Sequence, residues 1–170
     1  MLNTEQEKAF QKGVALYKRA CGEWENPNCD ARLNCLAEAL ETLGEYVDEV
    51  DDVFYRVIFA NVIQDIQDTG IIELTDECQT EKIMIYLNTL KWCNTTSSFA
   101  ENMLPYLWSV LNKLARILLN GTEGIAQNDN VARICYCNLK KLGYPLADIF
   151  LENFAQNQAG EWFFTGIRPE

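Results

Sequence analysis

The stretch EALETLGEYVDEVDDVF, which runs from Glu38 to Phe54, places seven carboxylates within its first fifteen residues. Carboxylates packed this densely suit three uses: they bind a cation through their oxygens, they attract a basic protein, or they keep the outer side of a helix solvated. The chain contains no histidine, which excludes imidazole bases, His-oriented nucleophiles and His metal ligands. Any chemistry must therefore come from carboxylates, thiolates, lysines or tyrosines.

The acidic residues are concentrated in one part of the sequence. Between Leu33 and Glu81 there are thirteen acids and one base, Arg56, whereas the remainder has twelve acids and thirteen bases. The net charge of −11 therefore arises from this segment, which creates a negative field that repels nucleic acid and anionic membranes. The pattern predicts a basic protein as the partner, with no direct binding to nucleic acid and no binding to membranes.

Composition indicates a globular chain. It has 170 residues, of which 48% are hydrophobic and 23% charged, and this predicts a single helical domain over residues 1–170. No apolar run approaches the roughly 20 residues of a membrane-spanning helix, and no secretory leader pattern is found. The seven cysteines contain no CxxC pair, which favours reduced thiols, mostly as small core residues, in a cytoplasmic protein.

Hydrophobic periodicity predicts an all-α fold, a single compact bundle of about seven helices, with no convincing strand. The third helix contains VFYRVIFANVI, a run so apolar that it is expected to be buried on nearly all sides. The predicted helices cover about 4–21, the acidic segments 29–43 and 47–69, a segment from 76, a segment from 98, about 130–142, and a segment from 145.

The C-terminal part is rich in aromatic and aliphatic side chains. The last helix is expected to turn Leu146, Ile149, Phe150 and Phe154 inward. The tail over 160–170 contains Trp162, Phe163 and Phe164, and this aromatic content predicts that the tail docks on the bundle. An exposed anchor for a partner is the alternative role of these three rings.

Helical geometry predicts which way the acids face. At about 100° per residue, the leucines of the second helix, centred on Leu36 and Leu40, point away from Glu38, Glu41 and Glu45. On the predicted helix over 47–69, the apolar positions define a buried side, and Glu49 and Asp52 lie opposite to it. Both groups of carboxylates are therefore expected on solvated faces.

The acidic pairs also resemble a known enzyme motif. Glu38, Glu41, Glu49 and Asp52 spell ExxE followed by ExxD, and the continuation EVDDVFYRVIFAN resembles the helix that carries the second acidic pair in MazG-type nucleotide pyrophosphohydrolases. In that all-α family the four carboxylates bind Mg²⁺, which polarises the pyrophosphate of a nucleoside triphosphate and positions the attacking water. The resemblance covers about residues 33–65 and implies that these four residues are magnesium ligands.

The charge pattern favours a different function, a non-enzymatic protein-protein interaction module with no catalytic residue and no cofactor. A row of carboxylates on a rigid helical pair can mimic phosphates and occupy the nucleic-acid groove of a basic protein. Small acidic phage inhibitors of host defence nucleases provide an analogy of charge and size. The residues expected to form this acidic face are Glu38, Glu41, Glu45, Asp48, Glu49 and Asp52.

Two alternatives to this module stay open. One is the MazG-like magnesium-dependent pyrophosphohydrolase, and the other is an adaptor or complex subunit that uses an apolar patch around the C-terminal aromatics. In the adaptor, the acidic face has no role. For a third class, a pocket that holds a small ligand, the sequence identifies no constellation of polar residues.

Overall fold

A computed structural model describes residues 1–22, 25–26 and 28–169 of the chain. It confirms the all-α prediction, since the described residues form seven α-helices and only one small two-stranded sheet. The chain divides into two compact units, Met1–Ile85 and Tyr86–Glu170, with the division inside the fourth helix. The predicted single domain over 1–170 stays a prediction, because compact units of this size also occur within one domain.

The first unit contains α1 (Thr4–Gly22), α2 (Asp30–Gly44), α3 (Val53–Thr69) and the first part of α4 (Asp76–Thr95). Helix α1 packs on α2, and α3 packs on both of them. Every residue of the run from Val57 to Ile63 is buried, including the polar Asn61, as the apolar character of this helix predicted. Helix α1 lies very close to α2 at Gly13. A Cβ atom added at this glycine would lie only 2.5 Å from Leu43 Cδ2.

The second unit contains the end of α4, a 3-10 turn (Glu101–Met103), α5 (Leu104–Asn120), α6 (Asp129–Lys141) and α7 (Ala147–Leu151). Pro105 lies in the first turn of α5, where its missing N–H leaves no helical bond unmade. Helix α5 begins at Leu104, six residues after the predicted start near 98. Its leucines at 107, 111, 114 and 118 are buried and face α6 and the core of this unit.

The prediction that the chain has no strand is wrong for the C-terminal region. Strands β1 (Phe154–Gln156) and β2 (Trp162–Phe164) form an antiparallel hairpin, with Phe154 paired to Phe164. Its loop is closed at Gly160, whose φ of 82° favours glycine. The Trp162 ring lies against the Arg133 guanidinium at 3.7 Å, and Phe163 is 42% exposed.

Two predictions about burial are also wrong. Leu146 and Ile149 are exposed and do not point inward, because α7 is only five residues long and Phe150 and Phe154 supply its aromatic packing. The cysteines are free thiols, but only Cys35, Cys93 and Cys135 are buried. Most of the cysteines are therefore not core residues.

Candidate functional site in the first unit

Helix α2 carries the first part of the acidic face. Leu36, Ala39 and Leu43 are fully buried on one side of this helix. Glu38 and Glu41 are exposed on the other side, and Glu45 is exposed at the C-cap of the helix. The apolar spacing of α2 thus fixes these carboxylates in solvent while their backbone is held rigidly against the core.

Asp48 and Glu49 lie in the connection between α2 and α3, which differs from the predicted helix over 47–69. Both side chains are exposed, whereas Val47 and Val50 of the same connection are buried. The buried valines anchor the connection to the core and leave the two acids facing solvent. The predicted start of the third helix at 47 is therefore wrong, and the helix begins at Val53.

Arg56 organises this connection from the first turn of α3. Its Nε donates to the carbonyl oxygen of Val50 at 2.7 Å, and its Nη2 donates to that of Val47 at 3.2 Å. Nη1 also lies 3.8 Å from a carboxylate oxygen of Glu81. The one base of the acidic segment is thus used to fix the backbone beneath Asp48 and Glu49.

Asp52 is the N-cap of α3. Its side chain accepts a hydrogen bond from the backbone N–H of Tyr55 at 2.9 Å, which satisfies one of the free donors at the helix start. The Tyr55 hydroxyl donates to the carbonyl oxygen of Leu43 at 2.6 Å and ties α3 to the end of α2. Asp52 therefore has a structural role, although its side chain remains exposed.

A groove of about 400 Å³ lies between α1 and α2 along the acidic face. Glu38, Glu41 and Glu45 line it from α2, and Glu5 faces them from α1. Lys12 Nζ lies 2.9 Å from Glu38 Oε1, so one carboxylate of the face is neutralised in part from within the unit. The sequence prediction did not include Glu5, because its place in the groove depends on the packing of α1 beside α2.

The pKa of the Tyr46 hydroxyl reflects the negative charges around this groove. Partial desolvation raises the pKa of its hydroxyl, and a hydrogen bond to Glu45 and the negative charges of Glu45, Glu5 and Glu49 raise it further. A neutral phenol among carboxylates is favoured over a phenolate, because a further negative charge would be repelled. This part of the unit therefore presents a field that stabilises cations.

The geometry does not assemble the magnesium site implied by the MazG-type resemblance. Glu38 pairs with Lys12, and Asp52 caps α3. Across residues 1–22, 25–26 and 28–169, no group of three or more cysteine, aspartate or glutamate side chains is arranged to hold a metal ion. Glu38, Glu41, Glu49 and Asp52 thus do not meet as a ligand set, and no magnesium-dependent step can be derived from them.

The two units differ sharply in charge. Residues 1–85 contain 18 acids and seven bases, a net charge of −11, whereas residues 86–170 contain seven of each and are neutral. All of the net charge of the protein therefore belongs to the unit that carries the acidic face. The asymmetry concentrates the negative field on one structural unit and does not spread it over the chain.

Comparisons with known proteins found no relative of this chain. No protein-family model, no curated protein and no solved structure matches the chain. The MazG-type resemblance stays a prediction from the sequence. In the described part of the chain, every helix is too short or too polar to cross a membrane.

Proposed function

We propose that the first unit is a non-enzymatic binding module whose acidic face binds a basic partner protein. The observation that carries this proposal is the segregation of charge: the unit has a net charge of −11, and the six carboxylates are all exposed on it. The six residues of the acidic face are Glu38, Glu41, Glu45, Asp48, Glu49 and Asp52.

Preorganisation supports a specific role for these carboxylates. Buried leucines hold α2, and Arg56 and the Asp52 cap hold the connection, so the backbone that carries the acids needs little ordering when a partner binds. Arginine and lysine side chains of a partner would replace the water and counterions around the acids. Association should therefore be fast at low ionic strength and should weaken steeply as salt is added.

A nucleic-acid-binding protein is the partner class that fits this face best. Its binding groove is shaped to accept a row of phosphates, and carboxylates held on a rigid scaffold present negative charge in a similar way. In this role the chain acts as a nucleic-acid mimic, for example as an inhibitor of a nuclease. It binds neither nucleic acid nor an anionic membrane itself, because like charges repel. We place this role in the cytoplasm, where the seven free cysteines stay reduced.

The test is capture of proteins from a cell lysate by immobilised protein at low and high salt, followed by mass spectrometry. The variant carries four reversals, Glu38→Lys, Glu41→Lys, Glu45→Lys and Asp48→Lys. It should lose the partner and keep the helical circular dichroism of the parent. The matched control makes the same change in net charge with Glu25→Lys, Glu73→Lys, Glu152→Lys and Glu161→Lys, all at exposed positions outside the acidic face.

The two variants separate a local surface from total charge. We expect the control variant to retain most of the captured basic protein, because its acidic face is intact. Equal loss in both variants would show that only total charge matters, and unchanged capture by the first variant would assign binding to another surface. Either outcome overturns the proposal, as does the absence of any basic partner at low salt.

A further inference from the structure

The second unit contains a cavity of about 300 Å³ with a character opposite to that of the acidic groove. Lys113 and Arg116 line it from α5, and Tyr136, Tyr144 and Phe150 line it from α6 and the segment that follows. Among its described lining residues two are basic and none is acidic. The volume lies at the lower end of the range for small-molecule sites.

The aromatic walls of this cavity are held in place by their own packing. The Tyr136 and Phe150 rings are stacked at 4.6 Å with an angle of 9° between their planes. The Tyr144 ring packs on Trp108 at 5.6 Å, and the Trp108 indole N–H donates to the carbonyl oxygen of Leu142 at 3.0 Å. A flat ligand ring would therefore meet walls that are already ordered.

Tyr136 contributes a buried phenol to the lining of the cavity. Tyr136 is only 3% exposed, yet its hydroxyl has no hydrogen-bond partner among the residues that the structure describes. Burial raises the pKa of this phenol, Cys135 and Tyr144 raise it further, and the positive charge of Arg116 acts in the opposite direction. The phenol therefore stays protonated, and a buried donor normally finds an acceptor. Arg116 lines the same cavity and supplies a second donor.

We infer that this cavity binds a small aromatic carboxylate. The ring lies against the Tyr144 and Phe150 walls, and the carboxylate accepts hydrogen bonds from the Tyr136 hydroxyl and the Arg116 guanidinium. Arginine suits a carboxylate because its planar fork can donate two parallel hydrogen bonds. The site is separate from the acidic face and does not depend on the function proposed for the first unit.

Three probes separate the contribution of the ring from that of the charge. 2-Naphthoate has both features, naphthalene-2-carboxamide has the same ring without the charge, and acetate has the charge without the ring. In titration calorimetry of the full chain, 2-naphthoate should bind saturably, the amide should bind at least about tenfold more weakly, and acetate should give no saturation. Equal affinity for 2-naphthoate and the amide, or no binding of 2-naphthoate, would overturn the inference.

Two variants place the bound probe in this cavity. Arg116→Gln should weaken 2-naphthoate binding roughly tenfold or more, and Tyr136→Phe should weaken it severalfold while keeping the stacked ring. The control is Lys91→Gln, which removes one exposed positive charge of the same unit outside the cavity and should leave the affinity unchanged. An Arg116→Gln protein that is folded by circular dichroism and binds like the parent would refute the assignment.

Discussion

The two units of this chain have nearly equal length but use charge in different ways. The first has 18 acids against seven bases, and the acids of its acidic face are exposed on α2 and on the connection from α2 to α3. The second is balanced, with seven of each sign, and places its bases beside aromatic rings, as Arg133 does with Trp162 and Arg116 does in the aromatic cavity. Similar helical scaffolds thus present a cation-attracting surface in one unit and an anion-compatible cavity in the other.

The difference also concerns how each unit fixes its surface. In the first, close helix packing and backbone contacts hold acids that have few partners of their own. In the second, an ion pair holds the C-terminal segment: Arg168 donates to both carboxylate oxygens of Asp129 at 2.7 and 2.9 Å and to the carbonyl oxygen of Leu119 at 2.7 Å. Stability should therefore respond to packing changes at the α1–α2 contact of the first unit and to charge changes at the Arg168–Asp129 pair of the second.

The largest effect is expected from Leu43→Ala in the first unit. Leu43 is fully buried and meets Gly13 across the α1–α2 contact, so the truncation should lower the free energy of unfolding by about 3 kcal/mol through lost burial and a cavity. Urea denaturation followed by circular dichroism measures this loss. Leu40→Ala, at a half-buried position of the same helix, is the control and should cost clearly less.

A double variant sharpens this prediction. Gly13→Ala alone should destabilise the protein by about 1–3 kcal/mol, because the added methyl group clashes with Leu43. Combined with Leu43→Ala, the same methyl group enters the space that the truncation leaves, so the two losses should add to less than their sum. Strict additivity would contradict the close contact between α1 and α2.

An intermediate effect is expected from Asp129→Asn in the second unit. Hydrogen bonds from Arg168 lower the pKa of the Asp129 carboxyl, and the backbone N–H of Phe164 adds to this, against the effect of burial. A lowered folded-state pKa contributes stability above the ordinary pKa of about 4, and this stability is lost as the pH falls through the folded value. The variant should cost about 1–2 kcal/mol at pH 7.

The pH dependence of the unfolding free energy provides a control for this prediction. The gap in unfolding free energy between parent and Asp129→Asn should narrow as the pH is lowered below about 4, because the parent then loses the same charge. Asp148→Asn is the comparison, since Asp148 pairs with Lys140 at 2.8 Å where both side chains are more than 60% exposed. That pair should contribute little at any pH, because water screens exposed charges. A gap for Asp129→Asn that does not change with pH would contradict the role of its charge.

The smallest effect on stability is expected from Lys12→Gln. The ion pair with Glu38 joins two side chains that are more than half exposed, and such pairs contribute about 0–1 kcal/mol. The variant should nevertheless bind the basic partner more tightly at low salt, because Glu38 loses its internal cation. Surface plasmon resonance measures this gain, and Lys18→Gln, an exposed lysine of the same helix that lies outside the groove, is the control. Weaker binding by Lys12→Gln would argue against an electrostatic interface.

The sequence predicted those features that depend on local periodicity. The all-α class, the buried run in α3 and the outward direction of Glu38 and Glu41 all follow from the spacing of apolar residues along a helix. The start of α3 was missed because Val47 and Val50 continue the apolar pattern, while the structure uses them as anchors of a connection that Arg56 holds. That role depends on backbone carbonyl groups, which the order of side chains does not reveal.

The other errors have a similar origin. The C-terminal hairpin depends on the pairing of Phe154 with Phe164 across a loop closed at Gly160, and a strand of three residues is too short to show an alternating pattern. Glu5 belongs to the acidic groove only because α1 packs beside α2, and the cavity of the second unit joins residues from 112 to 169. Contacts between distant segments are thus what the sequence did not provide.

An NMR titration of the isotopically labelled chain with a nona-arginine peptide tests whether the acidic face binds basic partners. We predict that amide shifts at low salt concentrate on residues 38–52 and on the facing part of α1, that residues 86–169 stay largely unchanged, and that added salt reverses the effect. Shifts spread evenly over both units, or centred in the second unit, would show that the acidic face is not the binding surface for basic partners.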